Sequence, residues 1–266
     1  MKTKTRISKK KILTTTVKTT VAALVSAVML ETTASAQANT NILIDEFSES
    51  QLVDTNSGNA IPIRSQVGPT GSILDGITDG FRDMFITDVI NTSGDASNRS
   101  SLLTSGGFGF FSNDFGVTST GVVRWDGAND SEEIDVDGLG GINIEENDLD
   151  KIVMWLSVDI PGLEVIFNIY DVSGNISSID RTFSSPPAGE NEDFLFSDFV
   201  GNADFTDVGA IELLLKGPER MDVSIDLLEI ASSNPPKPTP EPTSILGLLV
   251  IGATGAGSIL KRKHNR

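Results

Sequence analysis

Three side chains in the middle of the chain, Trp155, Asn168 and Tyr170, combine the rings and the amide that a sugar-binding surface uses. A pyranose offers an apolar C–H face that packs on an aromatic ring and a rim of hydroxyls that pairs with amides and carboxylates. With 2 Trp and 1 Tyr in the chain, Trp125 is the only other residue of this kind. The plain alternative is that Trp155 and Tyr170 fill a second small core beneath a long loop such as 54–80.

A second group is acidic: Asp126, Asp130, Glu132, Glu133, Asp135 and Asp137, followed by Gly138. Alternating carboxylates with a glycine can wrap a hard cation. The twelve-residue calcium loop does not fit, because a register with Asp137 at the fifth position puts Ile144 at the twelfth and leaves Glu145 one late. A solvated acidic loop is the alternative. Carboxylate pairs for glycoside hydrolysis need a separation of ~5–10 Å. Among so many acids some pair falls in that range by chance, so the pattern assigns no hydrolase and the chain reads as non-enzymatic.

Composition removes other chemistries. There is no cysteine, and the single histidine, His264, lies in the C-terminal tip. The body therefore lacks Ser-His-Asp and Cys-His catalysis and His- or Cys-ligated zinc. No glycine-rich phosphate loop is present.

The elements that must position these groups read as all-β. Short apolar runs alternate with Gly, Asn, Asp and Ser clusters. Ile42 to Phe47 predicts a first strand, and residues 54–80 predict long loops with short strands. Phe81 to Val89 and Ser105 to Trp125 predict further strands, the latter with glycines near Phe108, Phe110 and Phe111. Lys151 to Ile160 and Leu163 to Asp171 both alternate, and Pro161-Gly162 between them is a turn signal, so the two predict a hairpin. Its one face (Ile152, Met154, Leu156, Val158 with Val165, Phe167, Ile169) is core, and its other face collects Trp155, Asn168 and Tyr170. Ser173-Gly174-Asn175 turns the chain into another strand through Phe183. Ile211, Leu213 and Leu215 share a buried face, as do Val223, Ile225 and Leu227, while Asp222, Ser224 and Asp226 point outward.

The two ends address the protein. Residues 1–20 carry seven basic residues and no acid, Val21 to Leu30 is apolar, and Ala34-Ser35-Ala36 supplies small residues for signal peptidase. Residues 1–36 thus read as a signal peptide cleaved after Ala36, with Ala38 as the alternative. Residues 41–231 form one domain, 232–239 a proline-rich linker, and 240–266 a tail. In that tail 243–260 is 18 residues, about the shortest apolar length for a ~30 Å bilayer core, and Lys261, Arg262, Lys263 and Arg266 follow. Seven basic residues and Glu31 belong to the signal, and four basic residues form the end of the tail beyond its apolar span. Of 20 basic and 37 acidic residues 9 and 36 remain, a net charge of −27. Such a body repels nucleic acid and anionic lipid.

Pro240, Glu241 and Pro242, the apolar span and the basic end together resemble a PEP-CTERM sorting tail. That resemblance implies recognition by the membrane transpeptidase exosortase, a membrane stage held by the C-terminal helix, and delivery to the cell surface or extracellular matrix. Phe199 to Ile230 is similar to the closing strands of a galactose-binding-like jelly roll, which implies a jelly-roll β-sandwich. Modules of that fold often hold a structural calcium between first and last strands, and Asp45, Glu46 and Asp226 are the matching carboxylates here. No other cofactor is implied. The expectation is an exported, all-β, non-enzymatic surface protein with a structural or binding role in the envelope or extracellular polysaccharide. The alternative is a lectin-like carbohydrate-binding module, and behind it a secreted glycoside hydrolase.

Overall fold

The computed structural model describes residues 41–55, 64–68, 81–128 and 133–234. The expected export signal with Ala34 and Ala36, most of 54–80, Asp130 and Glu132, and the expected sorting tail with Pro240, Glu241, Pro242 and 243–260 lie outside the described residues. Among the described residues no helix is long and apolar enough to cross a membrane.

The chain forms β1 (Ile42–Asp45), β2 (Gln51–Asp54), β3 (Arg64–Val67), β4 (Arg82–Asn91), β5 (Ser100–Ser105), β6 (Phe108–Asn113) and β7 (Val117–Trp125). It continues through β8 (Lys151–Val158), β9 (Leu163–Asp171), β10 (Ile176–Phe183), β11 (Ala188–Leu195), β12 (Val200–Gly201), β13 (Val208–Gly217) and β14 (Asp222–Ala231). Two seven-stranded sheets result. The first runs β11-β8-β14-β6-β5-β2, with β1 also on β14; the second runs β12-β10-β9-β13-β7-β4-β3. The chain changes sheet after β2, β4, β6, β7, β8, β10, β11 and β13, so consecutive strands are paired side by side only at β3–β4, β5–β6 and β9–β10 among the described residues.

Period-2 alternation explains the layers. In β9 every odd residue from Leu163 to Asp171 is buried and every even one is half-exposed. Ile152, Met154, Leu156 and Val158 of β8 are buried likewise. These inner faces meet in one continuous core. Phe167 and Phe194, from opposite sheets, pack edge to face at 4.8 Å between centroids. Gly121 leaves the space that Phe111 fills, since a Cβ there would stand 2.8 Å from its ring.

The expected hairpin across Pro161-Gly162 does not form. β8 pairs with β11 and β14, whereas β9 pairs with β10 and β13. The turn, with Gly162 at φ +106°, carries the chain from one sheet to the other. Alternation sets which face of each strand is buried, but a strand beside its neighbour and a strand stacked over it bury the same residues. The expected turn at Ser173-Gly174-Asn175 does form and leads into a strand through Phe183 that pairs back on β9: Ile176 pairs with Tyr170, and Gly174 takes φ +79°.

At one end the core is polar. Arg82, fully buried, donates through Nη1 to both oxygens of Asp45 at 2.9 and 2.8 Å. Trp125 Nε1 donates to Asp45 Oδ2 at 2.9 Å, and the Phe47 amide to Asp45 Oδ1 at 2.7 Å. The rest of the guanidinium reaches Gln51 Oε1, the Glu49 carbonyl and Thr104 Oγ1. Asp45 belongs to the first sheet, Arg82 and Trp125 to the second, so this network ties the sheets together.

Candidate functional site

The change of sheet at Pro161-Gly162 divides the three residues of the expected platform. Trp155 stands on the outer face of the first sheet, Asn168 and Tyr170 on the outer face of the second. Each half has acquired partners that come from distant parts of the chain.

On the second sheet the partners form a row across six strands. Register aligns Ser178 (β10), Asn168 (β9), Glu212 (β13), Arg124 (β7), Asp83 (β4) and Gln66 (β3). Ser178 Oγ donates to Asn168 Oδ1 at 2.7 Å, and Asn168 Nδ2 donates to Glu212 Oε1 at 2.9 Å. Arg124 donates to Glu212 Oε2 from Nε at 3.1 Å and from Nη2 at 2.7 Å, and its guanidinium lies 4.9 Å from the Phe85 ring centre. Tyr170 OH points at Glu212 Oε1 at 3.5 Å. Burial, followed by the Glu212 charge, pushes the Tyr170 phenol up to about 12, so its hydroxyl remains a donor. Arg124 and Glu212 are buried, while Ser178, Asn168 and Tyr170 are half-exposed, so the row opens to solvent at its β9–β10 end. A row of fixed donors and acceptors with a ring beside it can bind a neutral polyol without reordering its own side chains.

On the first sheet Trp155 meets two phenylalanines. Its ring centroid lies 6.3 Å from that of Phe108, edge to face, and Phe108 lies 6.0 Å from Phe110. Phe108 and Phe110 are 37% and 38% exposed. Asp226 on β14 pairs with Trp155 on one side and Phe108 on the other, so its backbone lies between theirs, while its Oδ1 accepts from the Leu227 amide at 2.7 Å. The signal for this site was in the sequence: Phe108 and Phe110 are two apart, opposite in phase to buried Phe111. Glu212 and Arg124 gave only the weaker signal of charges at outward positions of apolar strands.

The calcium set is not assembled. Asp45 is buried with both oxygens taken by Arg82, Glu46 is exposed at the strand end, and Asp226 accepts from the Leu227 amide on the outer face. Among the described residues no group of three or more His, Cys, Asp or Glu side chains could hold a metal ion. Guanidinium supplies the positive charge at Asp45 that the resemblance assigned to a cation. The described part of the acidic run folds on its own carboxylates: the Asp135 amide donates to Asp126 Oδ2 at 3.1 Å and the Asp137 amide to Asp135 Oδ1 at 3.0 Å. Asp126 Oδ1 is buried and has no hydrogen-bond partner among the described residues. Burial, opposed by the Asp135 amide and Arg124, pushes that carboxyl up to about 6.

No protein-family model and no curated protein matches this sequence. Among solved structures, the chain is similar to the family 11 carbohydrate-binding module of a cellulosomal cellulase from Clostridium thermocellum. The TM-score is 0.34 at 9% identity, over 74% of this chain and 97% of that one. It is also similar to a family 29 carbohydrate-binding module complexed with mannohexaose, with a TM-score of 0.32 at 9% identity, over 69% of this chain and 93% of that one. Likeness at this level carries no weight for function, which rests on this chain's own side chains.

Proposed function

We propose that the protein is an exported surface component whose β-sandwich binds neutral carbohydrate on the outer face of the second sheet. One observation carries this reading: the hydrogen-bonded row Ser178–Asn168–Glu212–Arg124, open at its β9–β10 end and flanked there by Tyr170. Asn168 and Glu212 offer hydroxyl partners whose positions are already held, and Tyr170 offers a ring for the apolar sugar face. Export is supported by the basic and apolar N-terminal segment with Ala34 and Ala36. Sorting through an exosortase is supported by Pro240, Glu241 and Pro242 ahead of an apolar span and a basic end.

The binding reading is tested by titrating the full-length protein with soluble neutral oligosaccharides (gluco-, manno-, galacto- and xylohexaose). Saturable binding is expected with at least one, weakened by about 1–2 kcal/mol in Asn168→Ala, in line with one or two lost hydrogen bonds. Because Asn168 also donates to buried Glu212, the melting temperature should fall modestly while unfolding stays cooperative. Binding that Asn168→Ala and Tyr170→Ala leave intact places the ligand elsewhere. Peptide mapping of mature protein from producing cells tests the sorting reading: peptides should stop near Pro240, and an intact Arg266 would refute processing.

A further inference from the structure

We propose that the outer face of the first sheet is a second carbohydrate-binding surface, a stacking platform for an extended, uncharged polysaccharide, and that the sandwich therefore joins two glycan chains. The platform is built from strands distant in sequence: Trp155 on β8, Asp226 on β14, and Phe108 and Phe110 on β6. The three rings are contiguous, with centroids 6.3 and 6.0 Å apart, and the phenylalanines keep over a third of their surface in water. Natural sheets seldom leave such a cluster exposed without a use. Asp226 shares one lateral rung with Trp155 and Phe108; its Oδ1 is held by the Leu227 amide, and the carboxylate accepts from a sugar hydroxyl while the rings take the apolar faces. Ser224 and Ser157 pair on the next outward rung, beside Phe110, and exposed Asn191 lies beyond Trp155.

Charge selects the occupant. Asp222, Asp226 and Glu229 point from this face, where Asp193 is paired with Lys151 at 2.7 Å, and the chain carries a formal net charge of −17. A second copy laid face to face would bring these carboxylates together, and nucleic acid or anionic lipid would be repelled. A neutral chain with apolar ring faces and hydroxyl rims meets both the rings and the carboxylate. The two faces are the opposite outer surfaces of one sandwich, so a ligand on one leaves the other open. One molecule then holds two chains, and crosslinking strength gains from effective concentration rather than from new contacts.

The test is adsorption of full-length protein to microcrystalline cellulose, chitin and the producing cell's own exopolysaccharide, beside titration with the soluble hexaoses. Adsorption to at least one solid should weaken about tenfold in Trp155→Ala and in Phe108→Ala, while hexaose affinity and melting temperature stay at the wild-type value. Trp155→Phe should retain most of the adsorption. Asn168→Ala should weaken hexaose affinity and leave adsorption at the wild-type value, and only the wild-type protein should carry soluble glycan down with the solid. Adsorption to none of the three, or adsorption indifferent to Trp155→Ala and Phe108→Ala, overturns the proposal while leaving the row on the second sheet standing. Sedimentation showing a wild-type dimer that Phe108→Ala dissociates also overturns it, because the face is then an interface between copies.

Discussion

Arg82 and Asp45 meet across the interior of the sandwich, one from each sheet, with both side chains at zero exposure and one guanidinium nitrogen within 2.9 Å of both carboxylate oxygens. Every polar group around them is matched: Gln51, Thr104, the Glu49 carbonyl and Trp125 take up the remaining donors and acceptors. A buried pair of this kind is costly to break from one side, because the survivor stays desolvated and unmatched. Arg82→Met should destabilise the protein by about 3–5 kcal/mol, read as a fall in urea midpoint. The double variant Arg82→Met with Asp45→Leu should recover part of that loss, which a simple packing defect would not allow.

The same pair bears on calcium. With Arg82 holding Asp45, removing divalent cations should leave the calorimetric transition where it is. A chelator-induced drop of several degrees would show that another set of ligands holds a cation.

Asp126 gives stability an acid-side slope. Its folded-state carboxyl titrates near 6 against an ordinary value of 3.8, because burial disfavours the charge. Between roughly pH 4 and 6 the folded protein keeps a proton that the unfolded chain has released, so this contribution falls as pH rises through that window. Asp126→Asn should remove the slope. It should raise stability by up to about 2 kcal/mol at pH 7.5 and change little at pH 4. Thermal melts of both proteins across pH 4–8 give the difference directly, since all other groups cancel.

Within the row, Glu212 and Tyr170 should separate fold from binding. Glu212→Leu removes the oxygen that accepts two Arg124 hydrogen bonds and the one that accepts from Asn168, and should cost about 2–4 kcal/mol of stability together with oligosaccharide binding. Tyr170→Phe removes only a 3.5 Å contact and should shift stability by less than ~0.5 kcal/mol. Its ring remains, so hexaose affinity should fall by no more than threefold.

Gly189 offers a lever on the opposite face. It sits at φ +85°, and a Cβ there would lie 2.7 Å from Trp155 Cζ2. Gly189→Ala should therefore displace the indole, visible as a change in tryptophan fluorescence, and weaken adsorption to insoluble polysaccharide without altering hexaose affinity.

By itself the sequence determined the all-β class, the buried face of most long strands, the turn after Asp171 and the lack of histidine and cysteine in residues 41–231. These are local properties: period-2 alternation, turn residues and composition act within a few positions. Alternation failed at Leu227, expected beside Val223 and Ile225 in the core but 41% exposed, because a bulge between Asp226 and Leu228 shifts the alternation and turns Leu228 inward. Only the tertiary structure decided which strands lie side by side. Trp155 and Tyr170, 15 residues apart, ended on opposite outer faces because Pro161-Gly162 is a crossing between sheets. Asn168 instead found Glu212 and, through it, Arg124, while Trp155 found Phe108. Asp45 took an arginine 37 residues away where first- and last-strand carboxylates had suggested a cation. Alternation says which side of a strand avoids water, and sheet order, set by packing two sheets over one core, says whose side chain stands next to it.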